Sequence, residues 1–252
     1  MYCCMTETEA LCHQNNSEGR QMKRRNVYGS VVLGFLLIAL SPSLSSAWYD
    51  ETHVAIAKAV GYYKWFNACG ADMAKLKAGN IEGHNHYVNN PKGTVVTPEM
   101  VLAQARKYNQ IDLEGHLYGA IMASVRDYIR EKRRGKYGEY HLAFCAHYVG
   151  DLSQPLHNIG YSLFNRKNHK TIDGIVNDEI LENLDKIRVY GITIDSEEAL
   201  SREIARIATL SMALGYKIEA ERRLLTTEEA YSQISHSASL FGAILGYVGK
   251  MN

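Results

Sequence analysis

Apolar residues recur at helical spacing along most of the chain that follows residue 50. In residues 51–67 (ETHVAIAKAVGYYKWFN), apolar or small residues follow one another at intervals of three and four. This recurrence places them on one face of a helix. The same pattern predicts further helices over residues 98–108, 112–133, 138–152, 197–220 and 227–249.

Capping residues and prolines agree with these helices. Helix starts are predicted at Thr97, Ser196 and Thr226, where a capping side chain precedes acidic residues of a first turn. The prolines are expected at helix edges or in loops: Pro42, Pro91, Pro98 and Pro155. The only strand signals are short, at residues 189–190 and 192–194 on either side of a glycine. With no repeat or linker, the pattern predicts one all-α domain.

The first 47 residues resemble a secretory leader rather than folded protein. A basic cluster at residues 23–25 precedes the apolar stretch VVLGFLLIAL (31–40) and then SPSLSSA, which ends in Ser45-Ser46-Ala47. A charged start, a short apolar middle and a small-x-small end are the parts of a signal peptide. We therefore expect cleavage after Ala47, export to the periplasm or medium, and a mature domain over residues 48–252. The true start is either Met1 or Met22.

Charge and cysteine content narrow the function classes only mildly. The expected mature part carries 24 basic and 24 acidic residues, and the absence of a basic surplus disfavours a protein that tracks nucleic acid. Two cysteines remain, Cys69 and Cys145, and an exported protein could join them in a disulfide. Cys145 lies two residues before His147, about 200° away around a helix, so both the bridged and the free form stay open.

The most informative stretch is HYVGDLSQPLH, residues 147–157. His147 and Asp151 are four apart, which on a helix brings their side chains to one face. Pro155 fits poorly inside that helix, so His157 is expected to leave along a turn towards a second ion. Twelve residues after it, His169 and Asp173 form another pair four apart. This combination predicts a metal centre.

Further candidate ligands lie upstream. Asp72 and His86 are separated by fourteen residues, and His53 follows five positions after Trp48, the first residue of the expected mature chain. An α-amino group has a pKa near 8, so a metal ion can displace its proton. Nitrogen and carboxylate ligands without thiolates are typical of open, catalytic zinc sites.

These residues resemble the superfamily of bacterial zinc-dependent phospholipases C and fungal zinc nucleases. Both branches are all-α enzymes whose mature chains begin with a metal-binding tryptophan. Carried over residue by residue, the resemblance implies about three zinc ions. The first would be held by Asp72, His86, His147 and Asp151. The second would be held by Trp48 through its main chain, His53 and the bridging Asp151; the third by His157, His169 and Asp173.

The chain departs from both branches of that superfamily. The interval from Trp48 to His53 is as short as in the nucleases, whereas the interval from His157 to His169 is short, as in the phospholipases. Asp173 stands where the phospholipases use Glu, and the interval from His53 to Asp72 is shorter than in either branch. The resemblance further implies that Asp72 acts as general base and that Glu51 contacts a lipid headgroup.

Other acids and histidines compete for these positions. His84 is the rival of His86, which is preferred because His86-Tyr87-Val88-Asn89 resembles the family's pattern. Asp178 and Glu179 compete with Asp173, which alone lies one turn beyond His169. Ordinary structural roles are expected for the remaining histidines of the expected mature chain: His116, His141 and His236.

The leading hypothesis is a secreted phospholipase C that releases a phosphorylated headgroup, such as phosphocholine, from a glycerophospholipid. Its partner would be a phospholipid or membrane-surface substrate, and no obligate protein partner is indicated. The alternative is an extracellular zinc nuclease that acts on single strands, which the Trp48–His53 interval favours. A third possibility is a zinc protein without catalytic activity, although the ligand types suit open sites rather than closed ones.

Overall fold

A computed structural model describes residues 48–251 of the chain. The expected leader, its cleavage site, the two candidate start residues and Pro42 lie outside the described residues. Every regular element within residues 48–251 is a helix. The longer helices are α1 (Asp50–Ala59), α2 (Gly70–Ala78), α4 (Pro98–Gln104), α5 (Leu117–Arg133), α6 (Glu139–Ser153), α7 (Leu163–Asp173), α9 (Glu197–Glu221) and α10 (Thr227–Gly249). The all-α class predicted from the sequence is confirmed.

Short elements join these helices. Two single-turn helices are α3 (Asn80–Gly83) and α8 (Asn177–Ile180), and 3₁₀ turns cover Trp65–Asn67, Ala105–Lys107, Pro155–Asn158 and Leu184–Lys186. Helix α6 is central: it packs against α1, α2, α5, α9 and α10. Its buried positions run through the whole of its second half, from Cys145 to Ser153. A helix buried on all sides can carry polar side chains only where they have partners, so its histidine and aspartate mark an internal site.

The predicted helix starts are confirmed by their caps. The Thr97 hydroxyl accepts a hydrogen bond from the Met100 amide, and the Ser196 hydroxyl accepts one from Ala199. Thr226 forms a capping box with Glu229, in which each side chain accepts from the other residue's backbone N–H. Such side chains satisfy amides that have no partner within the helix.

Three predicted helices are shorter than the pattern suggested. The helix expected over 98–108 is α-helical only to Gln104 and continues as a 3₁₀ turn to Lys107. The helix expected over 51–67 ends at Ala59, because Gly61 adopts φ +70° and turns the chain before the 3₁₀ turn at Trp65–Asn67. The helix expected over 112–133 begins at Leu117, after Gly115 at φ +72°. A β-carbon on Gly115 would lie 2.1 Å from the Tyr87 carbonyl oxygen, so only glycine fits there.

The strand signals at residues 189–194 are wrong. This segment is a loop before α9 that lies alongside α10, where the Arg188 and Tyr190 amides donate to the hydroxyls of Ser235 and Ser239. Side-chain acceptors on a helix thus replace the partner strand that the apolar pattern implied. Among residues 48–251, no helix combines the length and apolar composition needed to cross a membrane.

The two cysteines of the described chain are free. The half-buried Cys69 donates to the Asp50 carbonyl oxygen across 3.5 Å, whereas Cys145 is buried in the core. Of the two forms left open by the sequence, the structure has the unbridged one. The position of Cys145 on the side of α6 away from His147 accounts for this.

Candidate metal centre

Eight of the predicted ligand side chains converge inside the helical bundle. Four helices carry ligands: α1, α2, α6 and α7. The others come from the loop that follows α3 and from the 3₁₀ turn that follows α6. They form three groups, and within each group the ligand atoms lie within 4.8 Å of one another. The groups are His53, His147 and Asp151; Asp72, His86 and His147; and His157, His169 and Asp173.

Asp151 lies at the meeting point of the first two groups. Its Oδ1 is 3.5 Å from His53 Nε2, and its Oδ2 is 2.9 Å from His86 Nδ1 and 3.5 Å from His147 Nε2. The two carboxylate oxygens therefore face different histidines. A single carboxylate in this arrangement can contribute one oxygen to each of two metal ions.

Asp72 forms the open side of the centre. Its Oδ1 lies 3.6 Å from His147 Nε2 and 3.8 Å from His86 Nδ1. The Asp72 side chain is 18% exposed, whereas those of His147 and Asp151 are fully buried. A ligand in solution therefore reaches the first two groups past Asp72.

The third group is set up by the proline that ends α6. That helix stops at Ser153, and Pro155 begins the 3₁₀ turn that carries His157. His157 Nε2 lies 2.9 Å from His169 Nε2, and Asp173 Oδ2 is 3.5 Å from the same His169 atom. The expectation that His157 leaves the helix along a turn is confirmed.

Hydrogen bonds to oxygen acceptors orient three of the imidazoles. His147 Nδ1 lies 2.9 Å from the Ala68 carbonyl oxygen, and His157 Nδ1 contacts the His86 carbonyl oxygen. A carbonyl oxygen only accepts, so Nδ1 carries the hydrogen and Nε2 keeps its lone pair. His169 Nδ1 is held in the same way, 2.6 Å from Asn165 Oδ1. His147 Nε2 faces Asp72 and Asp151, His169 Nε2 faces Asp173, and His157 Nε2 lies against His169 Nε2. Metal-binding histidines are commonly oriented by such a hydrogen bond from the other ring nitrogen.

Several buried polar atoms of the site have no hydrogen-bond partner. They include both ring nitrogens of His53, Nε2 of His147, Oδ1 of Asp151 and Oδ2 of Asp173. Buried polar atoms are normally paired, and each unpaired one costs free energy. Except for His53 Nδ1, which lies against Gly150, these atoms face carboxylate oxygens or ring nitrogens of the site. This arrangement fits divalent cations shared between them. Buried clusters of this composition could hold metal ions.

Burial keeps most of these histidines neutral. It lowers the pKa of His53, His86 and His157 well below the ordinary histidine value. A neutral imidazole has the lone pair that a metal ion needs. These three rings can therefore bind a cation at neutral pH without first losing a proton.

His147 and the two nearest carboxylates behave differently. Although burial lowers the pKa of His147, the charges of Asp72 and Asp151 raise it to about 9. Burial raises the pKa of Asp151 to about 8. Burial acts in the same direction on Asp72, but the neighbouring His147, Lys75 and His86 hold its pKa far below the usual range. Without a metal ion, the protons on His147 and Asp151 therefore partly balance the negative charge of the two carboxylates.

Trp48 is fully buried next to the centre. Its indole N–H donates to the Ser153 hydroxyl across 3.4 Å, two residues beyond Asp151 on α6. The following amide, of Tyr49, donates to the Asp173 carbonyl oxygen across 3.3 Å. Glu51 is exposed in the first turn of α1, and its contact with a headgroup stays a prediction.

Two residues at the site escaped the sequence analysis. The Lys75 ammonium lies 2.6 Å from Asp72 Oδ1 although its side chain is only 7% exposed. Glu82 Oε1 is 3.3 Å from His86 Nε2 and accepts a 2.5 Å hydrogen bond from Tyr148. Their spacing could have indicated both contacts. Lys75 lies three residues after Asp72, and Glu82 lies four residues before His86, intervals that bring side chains together on a helix.

The rival residues lie outside the three groups. His84 Nδ1 contacts the Tyr87 hydroxyl at 2.8 Å, and His116 Nε2 contacts Asn85 Oδ1 at 2.9 Å. Glu179 accepts a hydrogen bond from the Tyr231 hydroxyl. The three groups also leave out the other residues that were weighed: His141, Asp178 and His236.

Comparisons of the chain with protein-family models, with curated proteins and with solved structures give no match. A function is therefore inferred from the residues of the site.

Proposed function

We propose that this protein is an exported zinc-dependent phosphodiesterase of the phospholipase C type, in the superfamily that its ligand residues resemble. The observation that carries the proposal is the arrangement around Asp151, whose two oxygens face His53 on one side and His86 and His147 on the other. A second His-Asp group lies beside it at residues 157–173. Imidazole and carboxylate ligands without thiolates suit zinc in catalytic sites.

Zinc would be held by the ligand sets that the resemblance implies. These are Asp72, His86, His147 and Asp151; Trp48 through its main chain with His53 and Asp151; and His157, His169 and Asp173. Bound zinc would lower the pKa of water and neutralise the charge of a phosphodiester.

The chain's own residues supply binding and proton transfer. The Lys75 ammonium provides a fixed positive charge beside the entrance formed by Asp72, which suits an anionic phosphate. Asp72 Oδ1 contacts Lys75, His147 and His86, so we assign Oδ2 as the atom that accepts a proton from the attacking water. Glu82 holds the far side of the His86 ring.

A phospholipid is the preferred substrate for three reasons. The interval from His157 to His169 is short, as in the phospholipases. The expected mature chain has no net formal charge, which disfavours a polyanion as ligand. Glu51 is exposed in the first turn of α1, two residues before the ligand His53. An exposed carboxylate can attract a quaternary ammonium headgroup.

Diacylglycerol release tests this function directly. Zinc-loaded protein is incubated with phosphatidylcholine in mixed micelles, and diacylglycerol and phosphocholine are quantified. We expect both products in equal amounts, loss of activity with a chelator, and recovery on adding zinc. Asp151→Asn is the matched inactive control. Absence of both products at full zinc occupancy would contradict the proposal.

The second candidate function is cleavage of single-stranded nucleic acid, which the five-residue step from Trp48 to His53 favours. The same preparation is assayed on single-stranded DNA and RNA by gel electrophoresis, with a chelator control. Nucleotide release together with no diacylglycerol would assign the site to this function.

We also propose that Trp48 begins the mature chain, since its main chain adjoins the centre through Tyr49 and Asp173. N-terminal sequencing of the exported protein, together with its zinc stoichiometry, checks this. An active protein that still carries residues before Trp48 would contradict the assignment.

A further inference from the structure

The chain segment between α1 and His86 exposes apolar side chains beside the metal centre. Phe66 is 60% exposed, Met73 68% and Leu76 76%. Trp65 and Ile81 are also exposed, although less so. We call these five residues, Trp65, Phe66, Met73, Leu76 and Ile81, the apolar rim.

Helix α2 is inverted relative to an ordinary surface helix. Its charged Lys75 is buried and its Asp72 is largely buried, whereas Met73 and Leu76 point into solvent. A surface helix normally buries its apolar side chains and exposes its charged ones. The burial of Asp72 and Lys75 follows from their place at the metal centre. The exposure of Met73 and Leu76 has no such explanation within the described chain.

The inner side of the rim segment closes over the first two ligand groups. The Ala68 carbonyl oxygen accepts from His147 Nδ1 at 2.9 Å, and Asp72 lies 3.6 Å from the same ring. Just beyond Ile81, Glu82 contacts His86. Whatever surface the rim touches is therefore brought next to the entrance of the centre at Asp72.

The rim segment is also positively charged. Between α1 and His86 it has three lysines, Lys64, Lys75 and Lys77, and two acids, Asp72 and Glu82, which gives a formal charge of +1. Both acids lie largely buried at the metal centre, whereas Lys77 is exposed and Lys64 is half-buried. The Lys58 ammonium lies 4.9 Å from the centre of the Trp65 ring. The expected mature chain as a whole carries no net charge. Aromatic rings that alternate with lysines suit the boundary between lipid tails and anionic phosphates.

We propose that the apolar rim docks on an anionic phospholipid surface and thereby presents lipid headgroups to Asp72 and Lys75. This inference rests on the proposed phospholipase function and identifies the physical form of its substrate as a lipid assembly. A nucleic acid fits the rim less well. Trp65 and Phe66 have aromatic faces, but the other three rim residues, Met73, Leu76 and Ile81, offer none on which a base could stack, and the segment has no arginine.

Vesicle binding separates docking from catalysis. Zinc-loaded protein is mixed with vesicles of phosphatidylcholine and phosphatidylglycerol, and the fraction that floats with the lipid is measured. The test variant is Met73→Gln with Leu76→Gln. The matched control is Leu163→Gln, because Leu163 is equally exposed, at 75%, on α7. Turnover is measured on vesicles and on a water-soluble monomeric phosphocholine ester.

We expect the double variant to bind vesicles at least roughly tenfold more weakly, because two apolar side chains no longer leave water on docking. Its turnover on vesicles falls in parallel, whereas its turnover of the monomeric ester and its zinc content stay within about twofold of wild type. Leu163→Gln behaves like wild type in all assays. A Trp65→Ser variant, made separately, reproduces the loss of vesicle binding.

The outcomes distinguish the docking proposal from the proposed function. Wild-type protein that cleaves the monomeric ester but does not float overturns docking and leaves the function standing. Protein that floats through the rim but cleaves neither lipid nor ester overturns the function and leaves docking standing. Weakened binding of a single-stranded oligonucleotide, with unchanged vesicle binding, in the double variant overturns docking in favour of nucleic acid.

Discussion

A β-carbon added to Gly150 would lie 2.4 Å from Nδ1 of His53. Helix α6 can therefore approach His53 this closely only because residue 150 is a glycine and has no side chain. The His53 ring stacks on His147 at a centroid distance of 3.8 Å. The close approach of two helices at this point positions His53 against Asp151. Gly150 is in this sense part of the metal centre although it has no ligand atom.

Gly150→Ala is expected to displace His53 and weaken zinc binding by roughly tenfold or more, as the loss of positioning contacts does in metal sites. Overpacking should also cost about 1–3 kcal/mol of stability. Gly246→Ala is the control, since nothing lies within 4 Å of its added carbon on α10, and there alanine should stabilise by about 0.5–1 kcal/mol. Competition with a zinc chelator and thermal melts give both quantities. Unchanged zinc affinity in Gly150→Ala would contradict this account of the site.

Asp151 and Asp173 are both fully buried carboxylates, but they should differ in how much zinc depends on them. Asp151 faces histidines of two ligand groups, whereas Asp173 belongs to the third group alone. We expect Asp151→Asn to lose most of its bound zinc. Asp173→Asn should lose only the zinc held by the third group, which consists of His157, His169 and Asp173. Elemental analysis after dialysis measures this, and far-ultraviolet circular dichroism checks that both variants fold. Equal zinc contents in the two variants would refute the bridging position of Asp151.

The metal-free protein is expected to lose stability as the pH rises from about 6.5 to about 9. The pKa of His147 is about 9 in the folded protein and near 6.5 when unfolded. Between these two pH values the folded state holds a proton that the unfolded state has released. The stability that this proton contributes is complete below pH 6.5 and is lost as the pH rises to about 9. Asp151, whose pKa is raised to about 8 by burial, acts with the same sign.

The buried neutral histidines His53, His86 and His157 have the opposite effect, because their pKa values are lowered and the unfolded state binds their protons below pH 6.5. They leave the window above pH 6.5 unaffected. Melting temperatures of chelator-treated protein across this window test the prediction, with zinc-loaded protein as the control that should not show the fall. A constant melting temperature in the metal-free protein would count against the protonated His147.

Lys75→Gln should reduce phosphodiester turnover by roughly 100-fold, comparable to the loss of one fixed donor in a preorganised site. The fall should appear mainly in kcat, because the ammonium beside Asp72 meets a charge that grows as the phosphate bond breaks. Lys77→Gln is the matched control, since Lys77 is exposed on the same helix. Steady-state kinetics on a monomeric phosphodiester decides, and equal rates for the two variants would remove Lys75 from the mechanism.

Local spacing was enough to predict the groups that lie on one element. His147 and Asp151, and likewise His169 and Asp173, are one helical turn apart, and the turn at Pro155 redirects His157. The starts of α4, α9 and α10 were also predictable, because their caps are local hydrogen bonds between neighbouring residues.

Features that depend on distant segments were not predictable in this way. The pattern treats Lys75 as a solvated residue, because its burial arises only when α2 packs against α6. Helix α7 has eight polar residues among eleven, and its buried face consists mostly of the ligands His169 and Asp173 and their partner Asn165. The loop at residues 189–194 has strand-like apolar residues, but its partners are serines of α10 that are more than forty residues away. Periodicity within one segment carries no information about such partners.

His86 belongs to one ligand group by its side chain and supports another by its backbone. Its ring faces Asp151 and Asp72, while its carbonyl oxygen accepts from His157 Nδ1. A shift of His86 in one ligand group therefore also moves the carbonyl oxygen that orients His157 in the other group. We expect metal ions to bind cooperatively, because an ion in one ligand group fixes His86 and thereby the other group. In a metal titration, protein with only some of its sites filled should therefore be a minor species.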